Sequence, residues 1–391
     1  MSKYPLACDT WDKREVDAIQ KVIDKGQYTM GQAVSKFENE FKEYFNCDHA
    51  VMVNSGSTAN LLVLALLKYK YGLTGDIIVP AVSWSTTFFP VSQNGFKLNF
   101  VDINKDTLNI DTDKVESYIT RNTCAIFAVN LLGNPCELKR LKEIADKHNI
   151  LLIEDNCESF GAKTPEGINA GTVGELGTFS FFFSHHIQTM EGGMIVCKSK
   201  DDADYLRSLR AHGWCRHLEE GNNLYEKTGD DFIDSFTFIT PGYSVRPLEM
   251  SGAIGSVQLS KWPEMFKQRE ANAKYFKEKI GKEFSDVLDL QVETGKSSWF
   301  GFSMILKGKF KDQRKLVTST FKKHKIDCRP IVAGNFMKNP VIKHLEYIDN
   351  NDYDNANYIH DQGLFVGNDV NDLTANIDYL ADSLALVKEL I

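Results

Sequence analysis

Two adjacent histidines lie in a short polar loop between two apolar runs. The stretch from Phe181 to Gly193 reads as a strand end, a tight loop with His185 and His186, and a Gly pair before a second apolar run. An imidazole titrates near neutral pH, so it suits general acid/base chemistry. Side chains of neighbouring residues diverge on an extended segment, so the two rings are expected to point apart. The alternative for a lone histidine is a structural role.

Metal binding is not indicated by this pattern. Adjacent histidines seldom bind one metal, and no acidic or histidine partner lies at metal spacing. The eight cysteines are scattered, without a C-x-x-C pair or a Cys/His cluster of zinc type. The sequence therefore predicts no metal site. It also predicts reduced, mostly buried thiols, which favour a cytoplasmic location.

An anion site is suggested by the small residues of Asn54–Asn60, just before a predicted helix. Gly56, Ser57 and Thr58 let the backbone approach an anion, and the free amides of a helix N-terminus point towards it. The motif predicts a phosphate site at Gly56 and Ser57. The alternative is simple helix capping by Ser57 or Ser55.

Three further side chains lie at or near predicted strand ends. Asp155 could pair with a protonated ring nitrogen, or serve as a turn carboxylate. Trp84 could stack on a planar cofactor, or pack in the core. Ser180 could donate to a phosphate, or bond to backbone within a buried strand.

The elements that must position these residues alternate as in α/β proteins. Apolar strands are predicted at 76–80, 97–102, 125–131 and 150–155, with helices at 57–69, 112–119 and 137–148. Continuous apolar strands between amphipathic helices predict a mostly parallel sheet covered on both faces. Ligands of such sheets bind beyond the carboxyl ends of the strands, where the motifs lie.

The last third has a different pattern. A long helix is predicted from Met250 to about Ile280, interrupted near Pro263, followed by a strand at 298–306 and a helix at 313–324. A short strand near Ile326 and a helix from Ile377 complete it. We predict a large cofactor-binding α/β domain with an N-terminal arm over residues 1–250. The linking helix and a small C-terminal α+β domain follow over 251–391.

Charge and hydropathy exclude other classes of protein. The chain has 391 residues, 42% hydrophobic and 25% charged, with a formal net charge of −8. No basic block indicates nucleic acid binding. No apolar run of eighteen residues predicts a membrane span, and the N-terminus lacks a signal-peptide pattern.

Taken in order, these motifs resemble the sugar aminotransferase and dehydratase group of the aspartate aminotransferase superfamily, vitamin B6 enzymes of fold type I. Glu191-Gly-Gly193 and Pro241–Met250 also match the pattern of that group. In the group, the histidine loop carries a lysine that bonds covalently to the cofactor. The aligned position here is His185, and no lysine occurs between Lys163 and Lys198.

One branch of the group, dehydratases acting on GDP-4-keto-6-deoxy-D-mannose in the colitose route of O-antigen (lipopolysaccharide) synthesis, is similar in greater detail. Its loop also has histidine in place of the lysine. The shared stretches lie at 80–87, 129–135, 154–159, 184–193, 210–214, 246–255, 293–303, 328–332 and 363–368. Many of these are loops, where similarity is a strong functional sign.

The resemblance implies a three-layer α/β/α fold and a homodimer with active sites at the interface. It implies pyridoxamine 5'-phosphate, alternating with pyridoxal 5'-phosphate and held noncovalently, as the cofactor. The substrate would be a nucleotide-linked 4-keto-6-deoxy sugar that loses its C3 hydroxyl. L-Glutamate would then restore the amine form of the cofactor and leave as 2-oxoglutarate.

The resemblance also assigns roles to residues. His185 would act as base and then as acid, with His212 assisting. Asp155 would keep the ring nitrogen protonated, and the other cofactor contacts would come from Gly56, Ser57, Trp84, Ser180 and Ser244. Asn is usual in the group at Ser244, and that segment enters the neighbouring subunit's site. Arg246 and Arg329 are candidates for the glutamate carboxylate or the sugar diphosphate, or are surface ion pairs.

Three alternatives remain at this point. An iron–sulfur sugar 3-dehydratase also uses histidine in this loop, but it needs four thiolates close together. A sugar aminotransferase would need the missing lysine. A catalytically inactive relative would have lost other cofactor residues, whereas Ser57, Trp84, Asp155 and Ser180 are all present.

Overall fold

The computed structural model describes residues 2–216, 218 and 221–391, which form twelve α-helices and twelve strands. The helices are α1 Lys13–Lys25, α2 Gln32–Phe45, α3 Gly56–Tyr69, α4 Ser85–Gln93, α5 Thr112–Val115, α6 Leu138–His148, α7 Lys200–Leu209, α8 Asp231–Asp234, α9 Glu249–Phe276, α10 Arg314–Lys323, α11 Asp354–Gln362 and α12 Thr374–Leu390. The strands are β1 His49–Val53, β2 Asp76–Pro80, β3 Lys97–Val101, β4 Thr123–Val129, β5 Leu151–Asp155, β6 Leu176–Ser180, β7 Gly193–Cys197, β8 Leu288–Asp289, β9 Gly301–Leu306, β10 Cys328–Arg329, β11 Tyr347–Ile348 and β12 Gly363–Gly367.

The larger sheet has eight strands in the order β1-β7-β6-β5-β4-β2-β3-β11. Only β7 runs antiparallel to its neighbours, β1 and β6. The other strands pair in parallel and are almost fully buried, as expected for a sheet with helices on both faces. Their carboxyl ends therefore meet along one edge of the sheet.

The smaller sheet has four antiparallel strands in the order β10-β12-β9-β8. It packs against α10, α12 and the end of α9 around a separate apolar core. Tyr4, near the N-terminus, is fully buried in this core and donates a hydrogen bond to the Gly367 carbonyl. The first residues of the chain are thus attached to the C-terminal part.

The predicted fold class, a mostly parallel α/β sheet with a smaller α+β part, is confirmed, while several element bounds differ. α9 continues through Pro263 without interruption and ends in a π-helical turn at Lys277–Gly281. The strand predicted from 298 begins at Gly301, because Ser298 and Phe300 donate instead to the carbonyls of Gly133 and Leu132.

The division into domains at residue 250 stays a prediction. α9 begins at Glu249, near the predicted boundary. However, β11, far along the C-terminal part, pairs with β3 at the edge of the larger sheet. The pairing of Tyr347 with Leu98 spans much of the chain, so no local pattern indicates it.

A buried carboxylate holds the loop that connects β5 to β6. Glu154 is fully buried and accepts hydrogen bonds from the backbone amides of Gly171, Val173 and Gly174 at 2.6, 2.8 and 2.8 Å. Asn130 Nδ2 donates a fourth, at 3.2 Å. Burying a charge is costly unless its hydrogen bonds are made, so this network fixes the end of β5 beside Asp155.

Replacing Glu154 with Gln is expected to lower the free energy of unfolding by about 1–3 kcal/mol, because the amide NH₂ would face a backbone donor. Chemical denaturation measures this loss. Glu143→Gln, on the exposed face of α6, is the matched control and should stay within about 0.5 kcal/mol of the parent. Equal stability of the two variants would contradict the anchoring role of Glu154.

Candidate active site

A cavity of about 500 Å³ lies at the carboxyl edge of the larger sheet. Seven of the predicted site residues line it together: Gly56, Ser57, Trp84, Asp155, Ser180, His185 and Arg329. They come from the start of α3, the residue before α4, the ends of β5 and β6, the loop after β6, and β10. The strand order brings these residues together, as the parallel sheet predicts.

The start of α3 forms one wall of the cavity. Ser55 caps the helix by accepting from the Thr58 amide at 3.1 Å, which leaves Ser57 free to line the cavity. A Cβ at Gly56 would lie 2.6 Å from Ser180 Cβ and 2.8 Å from Cys157 Sγ, so only glycine allows this approach. The first amides of a helix lack intrahelical partners and attract anions. The wall fits a phosphate group.

Asp155 is held rigidly at the end of β5. Its Oδ2 accepts from Asn60 Nδ2 at 2.9 Å and from Thr87 Oγ1 at 2.8 Å, and its Oδ1 accepts from the Cys157 amide at 3.2 Å. Thr178 in turn donates to Asn60 Oδ1 at 2.6 Å. A fixed, mostly buried carboxylate of this kind suits a cationic partner such as a protonated pyridine nitrogen.

Trp84 lies at the N-terminal end of α4 with 55% of its surface exposed. The alternative of a core tryptophan is therefore wrong. The exposed ring lines the same cavity as Asp155 and offers a flat face to a planar ligand. Helix amides, a fixed carboxylate and an aromatic face together fit the phosphate, ring nitrogen and ring of a pyridoxal-type cofactor.

His185 extends from the histidine loop, Phe181–Gly193, into the cavity. Its Nδ1 lies 2.8 Å from the Cys157 carbonyl oxygen, and its backbone amide donates to the Phe182 carbonyl at 2.8 Å. A carbonyl can only accept, so Nδ1 carries the proton and the lone pair of the neutral ring is on Nε2. Burial lowers the pKa of His185 to about 4. The neutral ring is a base at neutral pH.

His186 points away from the cavity, as the predicted divergence of the two rings requires. It is fully buried, and its Nε2 lies 3.1 Å from the Ser298 carbonyl oxygen. Between the two histidines lies Phe300, which also lines the cavity.

Glu158 is a site residue that the sequence analysis did not single out. It lines the cavity and accepts from the Leu132 amide at 3.0 Å. Burial, together with the charge of Asp155, raises the pKa of Glu158 to about 7. Its position three residues after the strand-end Asp155 was the available signal. Cys157 and Glu191 line the cavity as well.

Three predicted residues lie outside this cavity in the single chain: His212, Ser244 and Arg246. The His212 amide donates to the Tyr243 carbonyl at 2.8 Å, and Ala211 forms a β-bridge with Ser244. The Asn54 amide donates to Val245, which places this strip beside the end of β1. Their assigned roles stay predictions, since the resemblance assigns the segment containing Ser244 and Arg246 to a neighbouring subunit's site.

Two other properties of the described part of the chain bear on the site. Within it, no three His, Cys, Asp or Glu side chains are grouped as ligands for a metal ion. None of its helices is both long and apolar enough to cross a membrane.

The sequence and the fold of this chain are similar to those of known sugar-nucleotide dehydratases. The chain is 49% identical to GDP-4-keto-6-deoxy-D-mannose 3-dehydratase of Yersinia pseudotuberculosis, over 98% of each chain. It superposes with a TM-score of 0.94 and 48% identity on the Escherichia coli enzyme of that name with bound hydrated PLP, over 98% of this chain and all of that one. A structure with a trapped PLP-glutamate geminal diamine matches equally well, with the same TM-score, identity and coverage.

The resemblance inferred from the motifs is thereby confirmed. The family model of the DegT/DnrJ/EryC1/StrS aminotransferases matches residues 9–384, nearly the whole sequence. The chain belongs to the DegT/DnrJ/EryC1/StrS aminotransferase family.

Proposed function

We propose that this chain is a pyridoxamine/pyridoxal phosphate-dependent GDP-4-keto-6-deoxy-D-mannose 3-dehydratase. It removes the C3 hydroxyl of the sugar to give the 4-keto-3,6-dideoxy product, and glutamate regenerates the amine form of the cofactor. The observation that carries the proposal is His185, a histidine in the position of the family lysine, directed into a cavity that retains the other cofactor-binding features. The names of the 49% identical Yersinia pseudotuberculosis relative and of the similar Escherichia coli structure support the same reaction.

Five residues are proposed to hold the cofactor within the single chain. Gly56, Ser57 and Ser180 bind the phosphate at the start of α3, and Trp84 stacks on the ring. Asp155 pairs with the ring nitrogen and keeps it protonated. When bound, the amine form supplies a group that condenses with the C4 ketone and a ring that accepts electrons.

His185 moves the proton in this scheme. Nε2, the free nitrogen of the neutral ring, takes a proton beside the cofactor and then donates it to the departing C3 hydroxyl. The hydrogen bond from Nδ1 to Cys157 keeps the ring oriented through both transfers. Because burial lowers the pKa of His185, the protonated ring is a strong acid and gives up its proton readily.

A lysine at this position would favour another outcome. Its amine would capture the aldehyde form of the cofactor and could return a proton to C4 of the sugar, which leads to transamination. Histidine cannot form that covalent link. The exchange therefore favours loss of the hydroxyl over production of an amino sugar.

The remaining assignments are also proposals. Arg329 lines the cavity and suits the glutamate carboxylate or the sugar diphosphate, while Ser244, Arg246 and His212 are proposed to act in a dimeric site. Placement in colitose-type O-antigen synthesis is proposed because the motifs resemble the dehydratases of that route. The cytoplasmic location stays a prediction from the sequence.

The direct test is product analysis with GDP-4-keto-6-deoxy-D-mannose, the cofactor and glutamate. A 4-keto-3,6-dideoxy product with matching 2-oxoglutarate is expected. An amino sugar product would instead identify an aminotransferase and refute the dehydratase. Stoichiometric iron in active protein would favour the iron–sulfur alternative.

Replacing His185 with Asn or Lys is expected to abolish dehydration, because Asn carries no base, whereas the Lys amine would capture the aldehyde form of the cofactor and favour transamination. Cofactor binding, followed by absorbance, should persist because the phosphate and ring contacts remain. His344→Asn, in the segment after β10, is the control and should keep full activity. Undiminished dehydration by either His185 variant would refute the assigned role.

The pH dependence of kcat/KM should reflect the neutral form of His185. The pKa of His185 in the folded protein is about 4, so the neutral ring predominates above pH 4. Protonation of His185 should therefore abolish activity only as the pH falls through about 4. Asp155, Glu158, Glu191 and Arg329 line the same cavity, and titration of Glu158 near pH 7 gives a separate step. Steady-state kinetics in Glu158→Gln separates the two, since only the step near pH 7 should vanish. An acid limb at about 6.5 in that variant would contradict the assignment.

A homodimer is proposed from exposed apolar side chains near the strip that contains Ser244. Phe232, Phe236 and Phe238 are 81%, 64% and 56% exposed, which is unusual for a surface in contact only with water. Phe236→Asp/Phe238→Asp is expected to convert a dimer of two 44.2 kDa chains into monomers with little activity, as measured by sedimentation. Ile168→Asp, at a position that is 49% exposed, is the control. A fully active monomeric parent would contradict the proposal.

A further inference from the structure

His186 is a buried titratable residue that the proposed reaction leaves unused. Its ring meets Trp262 edge-on, with centroids 5.4 Å apart and planes at 88°. Its Nε2 lies 3.1 Å from the Ser298 carbonyl, which can only accept, so Nε2 is the donor. Nδ1 is buried without a hydrogen-bond partner in the described structure. The ring is therefore neutral and fixed by a single polar contact.

The carbonyl that accepts this bond is itself held in place. The Ser298 amide donates to the Gly133 carbonyl at 2.8 Å. One residue on, the Trp299 carbonyl accepts from Arg269 Nη1 at 3.1 Å. Arg269, buried on α9, also donates to the Asn368 carbonyl at 2.9 Å. Ser298 is thus held by the turn after β4, and its neighbour Trp299 is held by Arg269 of α9, which also bonds to Asn368 just after β12.

Phe300 connects the two histidines. Its ring centroid lies 5.2 Å from that of His185 and 5.5 Å from that of His186. The Phe300 amide donates to the Leu132 carbonyl at 3.1 Å, so the phenyl ring is anchored by the same backbone segment as Ser298. A shift of His186 would therefore change the packing against which His185 rests.

We propose that His186 is a positioning residue for His185. Its hydrogen bond to Ser298 holds the backbone of the histidine loop where His185 Nδ1 donates to Cys157 and Nε2 faces the cavity. The inference rests on the proposed role of His185. It adds that the segment just before β9, which contains Ser298, sets the geometry of the base. If His186 loses its donor, the Ser298 carbonyl is left buried and unpaired, and the loop must rearrange to satisfy it.

The test compares His186→Phe with His186→Gln. Phe retains the ring contacts and removes the donor. Gln places an amide NH₂ donor about where Nε2 of the histidine lies. His324→Phe is the matched control, because His324 bonds to Ser383 and packs on Tyr379 away from the cavity. If His186→Phe does not fold, His186→Asn replaces it, since its amide is too short to reach Ser298.

Two readouts are used on each purified variant. The first is the separation of kcat from KM for the sugar nucleotide. The second is the rate at which diethyl pyrocarbonate modifies His185, followed by peptide mass mapping across pH without substrate. This reagent attacks the unprotonated ring, so the rate reports both the protonation and the accessibility of Nε2.

In the parent, modification of His185 should decline only as the pH approaches about 4. In His186→Phe the midpoint should move towards the ordinary histidine value of about 6.5, because the displaced ring gains water. Charged and titratable groups around that ring are Asp155, Cys157, Glu158, Glu191 and Arg329 in the cavity, with His186 and Arg269 behind the loop. We expect kcat to fall about tenfold with KM within about twofold.

His186→Gln should restore both readouts, and His324→Phe should match the parent. Unchanged values in His186→Phe, failure of Gln to restore either readout, or an equal loss in His324→Phe would each overturn the inference. The chemical modification needs no turnover. Retained dehydration by His185→Asn would therefore refute the proposed base without altering the positioning result, and the two failures are distinguishable.

Discussion

The hydrogen bond from His185 Nδ1 to the Cys157 carbonyl is the interaction on which the site depends. It fixes the tautomer, because a carbonyl cannot donate, and so it places the lone pair of the imidazole in the cavity. The amide of the same Cys157 donates to Asp155. One peptide turn after β5 therefore orients both the carboxylate proposed for the ring nitrogen and the histidine proposed for proton transfer.

Burial acts in opposite directions on two groups in this cavity. It lowers the pKa of His185 because the protonated ring is the charged form. It raises the pKa of Glu158 because the deprotonated carboxylate is the charged form. Both shifts favour the neutral state. The carboxylate of Asp155, in the same cavity, accepts three hydrogen bonds. The charge of the cavity therefore depends on the protonation of His185 and Glu158.

Much of the fold and of the candidate site was predictable from the sequence. Apolar strand runs indicated a parallel sheet, and residues following those strands, such as Ser57 and Asp155, had to converge at its carboxyl edge. Contacts made by backbone were not predictable, because no side chain signals that the Cys157 carbonyl meets His185. Nor could local patterns show that Ser298 would support His186 from far along the chain. His212, Ser244 and Arg246 lie outside the cavity of the single chain, so their proposed roles stay predictions.

Gly193 joins the two halves of the site by a direct backbone approach. A Cβ there would overlap the carbonyl of Ser55, so the return strand of the histidine loop rests against the start of α3. The length of the histidine loop therefore sets the distance between the start of α3 and His185. For protein engineering, substitutions within the histidine loop and changes in its length are expected to have different effects. A side chain at position 185 can be exchanged within an intact frame, whereas an insertion or deletion between Phe181 and Gly193 would misalign both halves at once.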